Sequence, residues 1–345
     1  MSNIPRYLSR KMTFVEKNYI NGITRKQKNN HFIYYYISNN KSISKLDLER
    51  INKLRIPPAW INIWISNDPN TPIQAVGTDT KGRIQYIYSQ KHIEKAEKEK
   101  FYKMFKFIRA IPKLEKAIKI HEKLGPYEKE RVIASMLKII KEVHMRVGKE
   151  IYARKHKTYG VSSLKKIHLK FIRNKIIFRF KGKAGKRLNY TIIDQNLTNH
   201  LRLLLKLEGD KLFQYIDESD KIRKVTDTDL NKYIQKYMAN KDFSAKFFRT
   251  YAANHYFVKA LLNETNKRLP KNTKIIKKNI LNSLKSVAFY LRHERAVSKK
   301  SYVMNFIIDM YQKTPNYFVE RKQEDPDDIL IDILKLYKTN VLNKH

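Results

Sequence analysis

The sequence contains no cysteine, and this absence excludes several classes of protein at once. A chain without thiols cannot be a disulfide scaffold, cannot bind zinc through thiolates and cannot use a cysteine nucleophile. Glycine and proline are also scarce, at 9 and 10 of 345 residues, which leaves little room for long flexible linkers. There is no apolar run of about 18 residues and no apolar segment typical of a secretory signal near the N-terminus. We therefore expect a soluble, intracellular protein.

Positive charge is what the sequence has in excess. Its 73 Lys and Arg residues against 32 Asp and Glu give a formal net charge of +41 and an isoelectric point near 10.1. A charge of this size opposes compaction by self-repulsion and is typical of proteins that bind polyanions. Since 42% of the residues are hydrophobic and 12% are aromatic, the chain is not a disordered basic tail. The composition predicts a folded protein that binds nucleic acid.

The first 92 residues have the pattern of short β-strands separated by turns. Segments 32–37 and 60–65 are rich in β-branched and aromatic residues, and each is followed by a polar turn sequence. Two further short segments flank residues 79–82 and predict a hairpin. The length of 345 residues suggests about two domains. We therefore predict a small β-rich domain over 1–92 and a second domain over 93–345.

In the second domain most hydrophobic residues recur at helical spacing. The strongest helix is predicted to begin at 125–126, where proline suits the first turn, and to end at Gly148. The pattern returns to short β segments between 167 and 193. Further helices are predicted over 196–207, from the capping box at 226–229, after Ser244, over 275–291 and over 298–311. The acidic run 324–328 is interpreted as the first turn of a C-terminal helix rather than a metal site.

The sequence lacks the motifs of several large enzyme classes. There is no GxxxxGK[ST] phosphate loop, no HExxH zinc motif and no GxSxG nucleophile elbow, and the ten histidines show no ligand spacing. The chain is rich in Arg, Lys, His and Tyr, and these residue types suit a reaction in which a tyrosine oxygen attacks a phosphodiester. In such a reaction cationic side chains stabilise the charge on the phosphate, and a lysine can protonate the leaving group. Such chemistry requires no metal or other cofactor. Any single one of the 22 tyrosines is more simply explained as a core or stacking residue. The choice of a nucleophile therefore depends on the order of motifs along the chain and on the local sequence around each.

A series of short motifs supplies that order over roughly residues 55–305. The motifs are IPPAW at 56–60, GTD at 77–79, GRIQYIY at 82–88, RVGKEIY at 146–152, YGV at 159–161, GK at 182–183, FQY at 213–215, KFFRTY at 246–251, His293, and SKKSY at 298–302. Together they resemble the poxvirus-type DNA topoisomerases IB, the small viral and bacterial members of that family. The resemblance implies an α+β fold: a small, mostly β N-terminal domain that clamps DNA, and a larger, mainly α-helical catalytic domain with a short β-hairpin sheet, as in tyrosine recombinases.

By this resemblance, five residues would form the catalytic site. Tyr302 would be the nucleophile, forming a 3′-phosphotyrosyl link and releasing a 5′-hydroxyl strand. Arg146 and Arg249 would hold the scissile phosphate, for which the guanidinium geometry is well suited. Lys183, on a mobile hairpin, would protonate the 5′-oxygen with help from Arg146. His293 would donate to a non-bridging oxygen, and the reverse steps would religate the strand, so that supercoiled DNA is relaxed without ATP or metal.

The resemblance also implies contacts with double-stranded DNA outside the catalytic site. The residues expected to make them are Gln85, Tyr86, Tyr88, Lys149, Tyr152 and Lys246. An alternative for the tyrosines among them is a half-buried structural role. The protein is expected to act as a monomer, without a small-molecule cofactor or a membrane, wherever DNA is found inside the cell. A viral member would be found in the virion or in a cytoplasmic viral factory.

Some residues depart from the family pattern, and two other functions stay open. The family often has Gly before the histidine and Thr-Pro after it, whereas Arg292 and Glu294 flank His293 here; Ala252 stands where glycine is common. A tyrosine recombinase would share the catalytic ensemble, but the block at 56–88 and the lack of an obvious partner-exchange segment after Tyr302 count against it. A non-enzymatic DNA-packaging protein would fit the net charge equally well.

Overall fold

The computed structural model describes residues 13–29 and 31–342. The chain divides into two compact units, Met1–Glu99 and Lys100–His345. Within the described ranges, no helix is long and apolar enough to cross a membrane.

The first unit is built on an antiparallel sheet. Its elements are α1 (Thr13–Lys17), β1 (Gly22–Lys28), β2 (His31–Tyr36), α2 (Lys45–Leu54), β3 (Ile61–Ser66), β4 (Ile73–Thr78) and β5 (Ile84–Tyr88). The strand order is β2-β1-β3-β4-β5. The hairpin predicted at 79–82 is confirmed, with Gly82 at φ +70° in its turn. Strand β1 and helix α2 were not predicted, because their many charged residues hide the hydrophobic period.

The second unit is mainly helical. Helix α3 (Gln90–His121) begins within the first unit, and its residues from Lys100 onward belong to the second. The other elements are α4 (Lys129–Val143), α5 (Glu150–His156), β6 (Leu169–Ile172), β7 (Lys175–Lys181), β8 (Arg187–Ile193), α6 (Gln195–Leu204), β9 (Gln214–Ile216), β10 (Ile222–Lys224), α7 (Asp227–Tyr237), α8 (Lys246–Lys267), α9 (Thr273–Tyr290), α10 (Arg295–Val297), α11 (Asn305–Lys313), α12 (Asn316–Glu320) and α13 (Pro326–Leu342). Strands β6, β7 and β8 form an antiparallel sheet, and β9 pairs with β10. The predicted α+β class is therefore confirmed.

Helix α8 lies in the core of the second unit and packs against α9, α12 and α13. Its buried residues include Phe248, Phe257 and Leu261, which a buried helix requires. Four polar residues are also buried on this helix, among them Arg249 and Asn254 at 3% and 0% exposure; the other two are Thr250 and Thr265. Burying a polar group is unfavourable unless it finds hydrogen-bond partners, so Arg249 and Asn254, with the largest polar groups, need several such partners.

The prediction that helix α4 begins at 125–126 and continues to Gly148 was wrong at both ends. The helix begins at Lys129 and ends at Val143, because His144 adopts a left-handed backbone conformation with φ 51° and ψ 33°. The following residues form an extended segment instead, in which Arg146 O accepts from the backbone N–H of Val161 at 2.8 Å. A Cβ added to Gly148 would lie only 2.6 Å from a backbone nitrogen of the neighbouring segment, so this close approach requires glycine.

The single helix predicted over 298–311 is interrupted. A π-helical turn, Ser298–Tyr302, is followed by Val303 in extended conformation (ψ 136°), and α11 starts only at Asn305. The interruption has a tertiary cause: the backbone N–H of Met304 donates to the side-chain oxygen of Asn254 at 2.9 Å rather than to a carbonyl one turn back. Tyr302 is therefore the last residue of the π-helical turn, and the helix does not continue beyond it.

Candidate active site

Tyr302 lies in a buried position with two guanidinium groups beside its ring. Arg146 Nη1 donates a hydrogen bond of 2.5 Å to the Tyr302 hydroxyl oxygen. The Cζ atoms of Arg249 and Arg146 lie 5.6 and 5.7 Å from the centre of the tyrosine ring. Arg146 comes from the extended segment after α4, Arg249 from α8 and Tyr302 from the π-helical turn, so the tertiary fold brings three distant segments together.

The two arginines change the acidity of the tyrosine. Burial raises the pKa of the Tyr302 hydroxyl, but the positive charges of Arg249 and Arg146 and their hydrogen bonds lower it, and the net direction is below the ordinary value of 10.0. A lower pKa increases the fraction of phenolate, which is the nucleophilic form. This environment therefore suits a tyrosine that attacks a phosphodiester.

Arg249 is held rigidly. Its Nη2 donates to Leu291 O at 2.8 Å, its Nη1 donates to His144 O, and its Nε is buried without a hydrogen-bond partner among the described residues. Burial and the nearby charge of Arg146 lower the pKa of Arg249. Across residues 13–29 and 31–342, neither arginine forms an ion pair with a carboxylate, although buried charges normally have a partner of opposite sign. The pair therefore forms a strong anion-binding position.

His293 completes the same cluster. Its ring lies nearly parallel to that of Tyr302, with the ring centres 5.2 Å apart and the planes at 15°. Nε2 is 2.9 Å from the hydroxyl of Ser298, whereas Nδ1 is buried without a partner in the described part of the chain. Burial and the charges of Arg249, Arg146 and Lys186 lower the pKa of His293 to about 4. The imidazole is therefore neutral at physiological pH and can donate through one nitrogen.

Asn254 is a site residue that the sequence reasoning missed. Its side-chain nitrogen donates to Tyr302 O at 3.2 Å, and its oxygen accepts from the N–H of Met304 at 2.9 Å. A second donor to Tyr302 O is the ammonium group of Lys100, at 3.3 Å. Asn254 thus fixes the backbone that follows the tyrosine, on both sides of Val303. The sequence offered one sign of this role: Asn254 is an amide residue on the buried side of the helix predicted after Ser244.

Lys183 lies apart from the other four predicted catalytic residues. It begins the short turn Lys183–Gly185 that joins β7 to β8, and its side chain is exposed. No contact described for the chain joins it to Tyr302, Arg146 or Arg249. The structure therefore brings four of the five predicted catalytic side chains into one cluster and places the fifth at the tip of a hairpin.

The predicted DNA-contact residues lie on accessible surfaces. In the first unit, Gln85 donates to Asp79 at 2.9 Å, and the rings of Tyr86 and Tyr88 stack with centres 6.0 Å apart. Tyr86 is half-buried and Tyr88 is 40% exposed, so the structural alternative applies better to the first than to the second. In the second unit the exposed residues are Lys149, which precedes α5, Tyr152 on α5 and Lys246 at the start of α8.

Other features of the second unit lie away from this cluster. A groove of about 1200 Å³ is lined by residues of α3, α4 and α6 and includes none of the predicted catalytic residues. Within the described ranges, no three His, Asp or Glu residues are grouped so that they could hold a metal ion. The acidic run at 324–328 contributes Asp327 and Asp328 to the first turn of α13, as predicted.

Comparison with known proteins decides the family. Residues 89–326 match the family described as eukaryotic DNA topoisomerase I, catalytic core, and residues 31–79 match the bacterial DNA topoisomerase IB N-terminal domain. The chain is 53% identical to the DNA topoisomerase 1B of Acanthamoeba polyphaga mimivirus over 337 residues, which are 96% of this chain and 100% of the relative. The chain belongs to the type IB DNA topoisomerase family. It is therefore an isomerase whose substrate is DNA, and the resemblance seen in its motifs is confirmed.

Two other known proteins show a more distant similarity. The DNA topoisomerase 1 of Rabbit fibroma virus (strain Kasza) is 26% identical over 267 residues, covering 77% of this chain and 80% of the relative. Among solved structures, that of the XerH site-specific recombinase bound to difH substrate matches with a TM-score of 0.33 and 18% identity, covering 55% of this chain and 48% of that one.

Proposed function

We propose that this type IB topoisomerase relaxes supercoiled duplex DNA by transient cleavage of one strand, with Tyr302 as the nucleophile. Tyr302 releases its proton to water, and its phenolate oxygen attacks the scissile phosphorus. The bond from phosphorus to the 5′-oxygen breaks, that oxygen is protonated and leaves as a hydroxyl, and a 3′-phosphotyrosyl link forms. After the free strand has rotated, the 5′-hydroxyl attacks the same phosphorus and releases the tyrosine. Because the phosphotyrosyl bond conserves the energy of the broken bond, religation needs no ATP.

The observation that carries this proposal is the pair of guanidinium groups around a buried tyrosine. In the proposed complex Arg146 and Arg249 bind the non-bridging oxygens of the scissile phosphate, where negative charge grows in the transition state. The buried Nε of Arg249 and Nδ1 of His293 lack partners among the described residues, and a phosphate would supply acceptors. The same charges lower the pKa of Tyr302, which favours its attack.

We assign proton donation to Lys183. A 5′-alkoxide is a poor leaving group, so an acid must protonate it as the bond breaks. None of the clustered residues suits this role better: Tyr302 is the nucleophile, His293 is neutral, and Arg249 is fixed by backbone carbonyls. Arg146 is proposed to assist Lys183 from its place beside the scissile phosphate; its hydrogen bond in the structure is to the attacking oxygen of Tyr302. The exposed turn lets Lys183 reach a DNA strand that lies on the surface.

The DNA contacts outside the cluster are proposed by the same reasoning. The first unit presents Gln85, Tyr86 and Tyr88 to the duplex as part of a clamp, while Lys149, Tyr152 and Lys246 contact it from the second unit. With a net charge of +41 the phosphate contacts are numerous, so affinity for DNA falls steeply as salt is added. We further propose that the protein acts as a monomer, and that if it is viral it works in the virion or in a viral factory.

The experiment that tests the proposal is plasmid relaxation in EDTA without ATP, with Tyr302→Phe measured beside the wild type. We expect the wild type to relax the plasmid and to form a covalent adduct visible on a denaturing gel. Tyr302→Phe lacks the nucleophilic oxygen and is expected to do neither while still binding DNA. A control is Tyr311→Phe, which removes a buried hydroxyl of the core.

The two alternative functions give different results in the same experiment. A tyrosine recombinase would form covalent adducts but join two duplexes in synaptic tetramers instead of relaxing a plasmid as a monomer. A packaging protein would bind DNA equally well with and without the hydroxyl of Tyr302. Relaxation by Tyr302→Phe would overturn the assignment of the nucleophile.

A further inference from the structure

The residue before His293 has an unusual backbone conformation for its type. Helix α9 ends with the N–H of His293 donating to Ala288 O at 3.0 Å and that of Arg292 donating to Phe289 O at 3.2 Å. This pair of bonds is a Schellman cap, and Arg292 occupies its left-handed position with φ 53°. Glycine is favoured there because it has no Cβ. Other non-glycine residues of the chain share this conformation, so the contacts of the Arg292 side chain, and not the strain alone, decide whether it has a role.

The side chain of Arg292 reaches the hairpin that carries Lys183. Its guanidinium carbon lies 4.3 Å from the centre of the Tyr190 ring, and its Nη1 donates to Asn189 O. Both contacts are on β8, the strand that leaves the Lys183 turn. Tyr190 is only 2% exposed, so this end of the connection is anchored in the core. Arg292 thus joins the His293 segment to the hairpin.

The residue after His293 makes a second connection to the same hairpin. A carboxylate oxygen of Glu294 lies 3.2 Å from the Nζ of Lys186, the residue that follows the Lys183–Gly185 turn. The Glu294 side chain is 72% exposed, so solvent and salt screen this ion pair strongly. Both residues that flank His293 therefore contact the hairpin, and the arginine makes the stronger link.

The turn itself provides little to fix Lys183. Within it, the N–H of Gly182 donates to Lys186 O at 2.7 Å and that of Gly185 donates to Gly182 O at 3.1 Å. Ala184 is in the left-handed region at φ 62°, and the lysine side chain is exposed. The direction of the turn therefore depends on what holds the two strands at its base.

We propose that Arg292 and Glu294 are positioning residues that hold the Lys183 hairpin against the His293 segment. This connection places the acid over the leaving 5′-oxygen while His293 binds the phosphate from the same segment. The proposal rests on the proposed function of Lys183 as the acid. It predicts that loss of the connection impairs proton donation and leaves the stabilisation of phosphate charge intact.

The test is Arg292→Gly, measured by single-turnover cleavage of two duplex substrates. One has the natural 5′-oxygen at the scissile bond, and the other has 5′-sulfur, whose thiolate leaves without a proton. We expect cleavage of the oxygen substrate to slow on the order of tenfold, because a displaced catalytic group loses rate steeply. The sulfur substrate is cleaved at the wild-type rate, and the melting temperature does not fall, since glycine suits the left-handed backbone.

A matched control is Arg173→Gly. Arg173 also has a left-handed conformation, with φ 52°, and lies exposed in the turn between β6 and β7. The change removes the same charge and relieves the same backbone strain but does not touch the Lys183 hairpin. It is expected to leave the ratio of oxygen to sulfur cleavage rates unchanged.

The ion pair gives a smaller and salt-dependent effect. Glu294→Gln is expected to slow the oxygen substrate about twofold at low salt and less at high salt, because exposed pairs are weak and screened. The charge swap of Glu294→Lys with Lys186→Glu restores part of what each single change loses. If Arg292→Gly cleaves both substrates more slowly by the same factor, or cleaves both at the wild-type rate, the positioning role is wrong.

Lys183→Ala on the same two substrates separates this inference from the proposed function. If the sulfur substrate does not restore its rate, Lys183 is not the acid and the proposed mechanism fails at that step. If the sulfur substrate does restore it but Arg292→Gly shows no difference between substrates, the acid is correct and only the positioning role is overturned.

Discussion

The two sides of the proposed active site are built in opposite ways. On one side, Arg249 and Asn254 are 3% and 0% exposed on a helix in the core, and backbone groups fix both. On the other side, Lys183 lies exposed in a turn, and the hairpin is contacted by Glu294 through an exposed ion pair and by Arg292 through the buried ring of Tyr190. Charge stabilisation benefits from groups that do not reorganise, whereas an acid on an exposed turn can approach a strand and withdraw once it is held in the right direction. The protein is therefore rigid where the phosphate is proposed to bind and adjustable where the strand is proposed to depart.

The largest effect should come from the adjustable side. Lys183→Ala is expected to slow cleavage by about 10²–10⁴-fold, the usual range for losing a general acid. Single-turnover cleavage is the measurement, and a 5′-sulfur leaving group should restore the rate. Lys181→Ala, an exposed lysine at the end of β7, is the matched control and should show no difference between the two substrates. If Lys183→Ala lost the same factor in cleavage rate with the 5′-oxygen and the 5′-sulfur substrate, Lys183 would not be the proton donor, and the distinction between the two sides would fail.

On the rigid side, Arg249→Gln is expected to slow cleavage by about 10²–10³-fold, as for the loss of one preorganised donor to a developing charge. A 5′-sulfur substrate should not restore the rate, because the leaving group is not affected.

The same variant should shift the dependence of rate on pH. Arg249 lowers the pKa of Tyr302 while burial raises it. Removing Arg249 leaves burial opposed by Arg146 alone, so the pKa of Tyr302 rises and the phenolate appears only at higher pH. The rise of the cleavage rate with pH should therefore move to higher pH in Arg249→Gln. A shift to lower pH would contradict the assigned electrostatic role.

A smaller effect is expected where the rigid side acts through the backbone. Asn254→Leu removes the hydrogen bonds to Tyr302 O and Met304 N and should slow cleavage about tenfold with little change in DNA affinity. The control is Asn279→Leu, since Asn279 is equally buried but bonds to Tyr311 and to the backbone. Both variants should lose about 1–3 kcal/mol of stability in urea unfolding, because buried polar groups lose partners. Only Asn254→Leu should affect cleavage; an equal effect of both would indicate a purely structural role.

The smallest effect is expected for His293. Its pKa of about 4 keeps the imidazole neutral, so it contributes a hydrogen bond rather than a charge. His293→Ala should slow cleavage about tenfold or less, in keeping with one neutral hydrogen bond. In the wild type the rate should show no inflection near pH 6.5, the ordinary value for histidine. An inflection there that disappears in His293→Ala would show that the protonated form is active.

The sequence predicted most strands better than the ends of two helices, although it missed β1. Strands β7 and β8 lie in the region 167–193 that was predicted to be β, and the capping box before α7 was also predicted; both follow from local patterns, because alternation and capping chemistry involve neighbouring residues. The early end of α4 at Val143 and the break after Tyr302 do not, because each depends on a contact with a distant segment. The same reason hid Asn254, whose partners lie about 50 residues away.

What the sequence determined by itself was the chemistry: a basic chain without cysteine, with Arg146, Arg249, His293 and Tyr302 in motifs of recognisable order. Charge, residue type and short motifs are local properties, so they can be read without coordinates. How those groups act on one another depends on the fold. The lowered pKa of Tyr302, the arginine pair without a carboxylate and the link from Arg292 to the Lys183 hairpin arise from distances between segments far apart in sequence. Electrostatic and hydrogen-bond energies depend on those distances and on burial, and folding alone sets both.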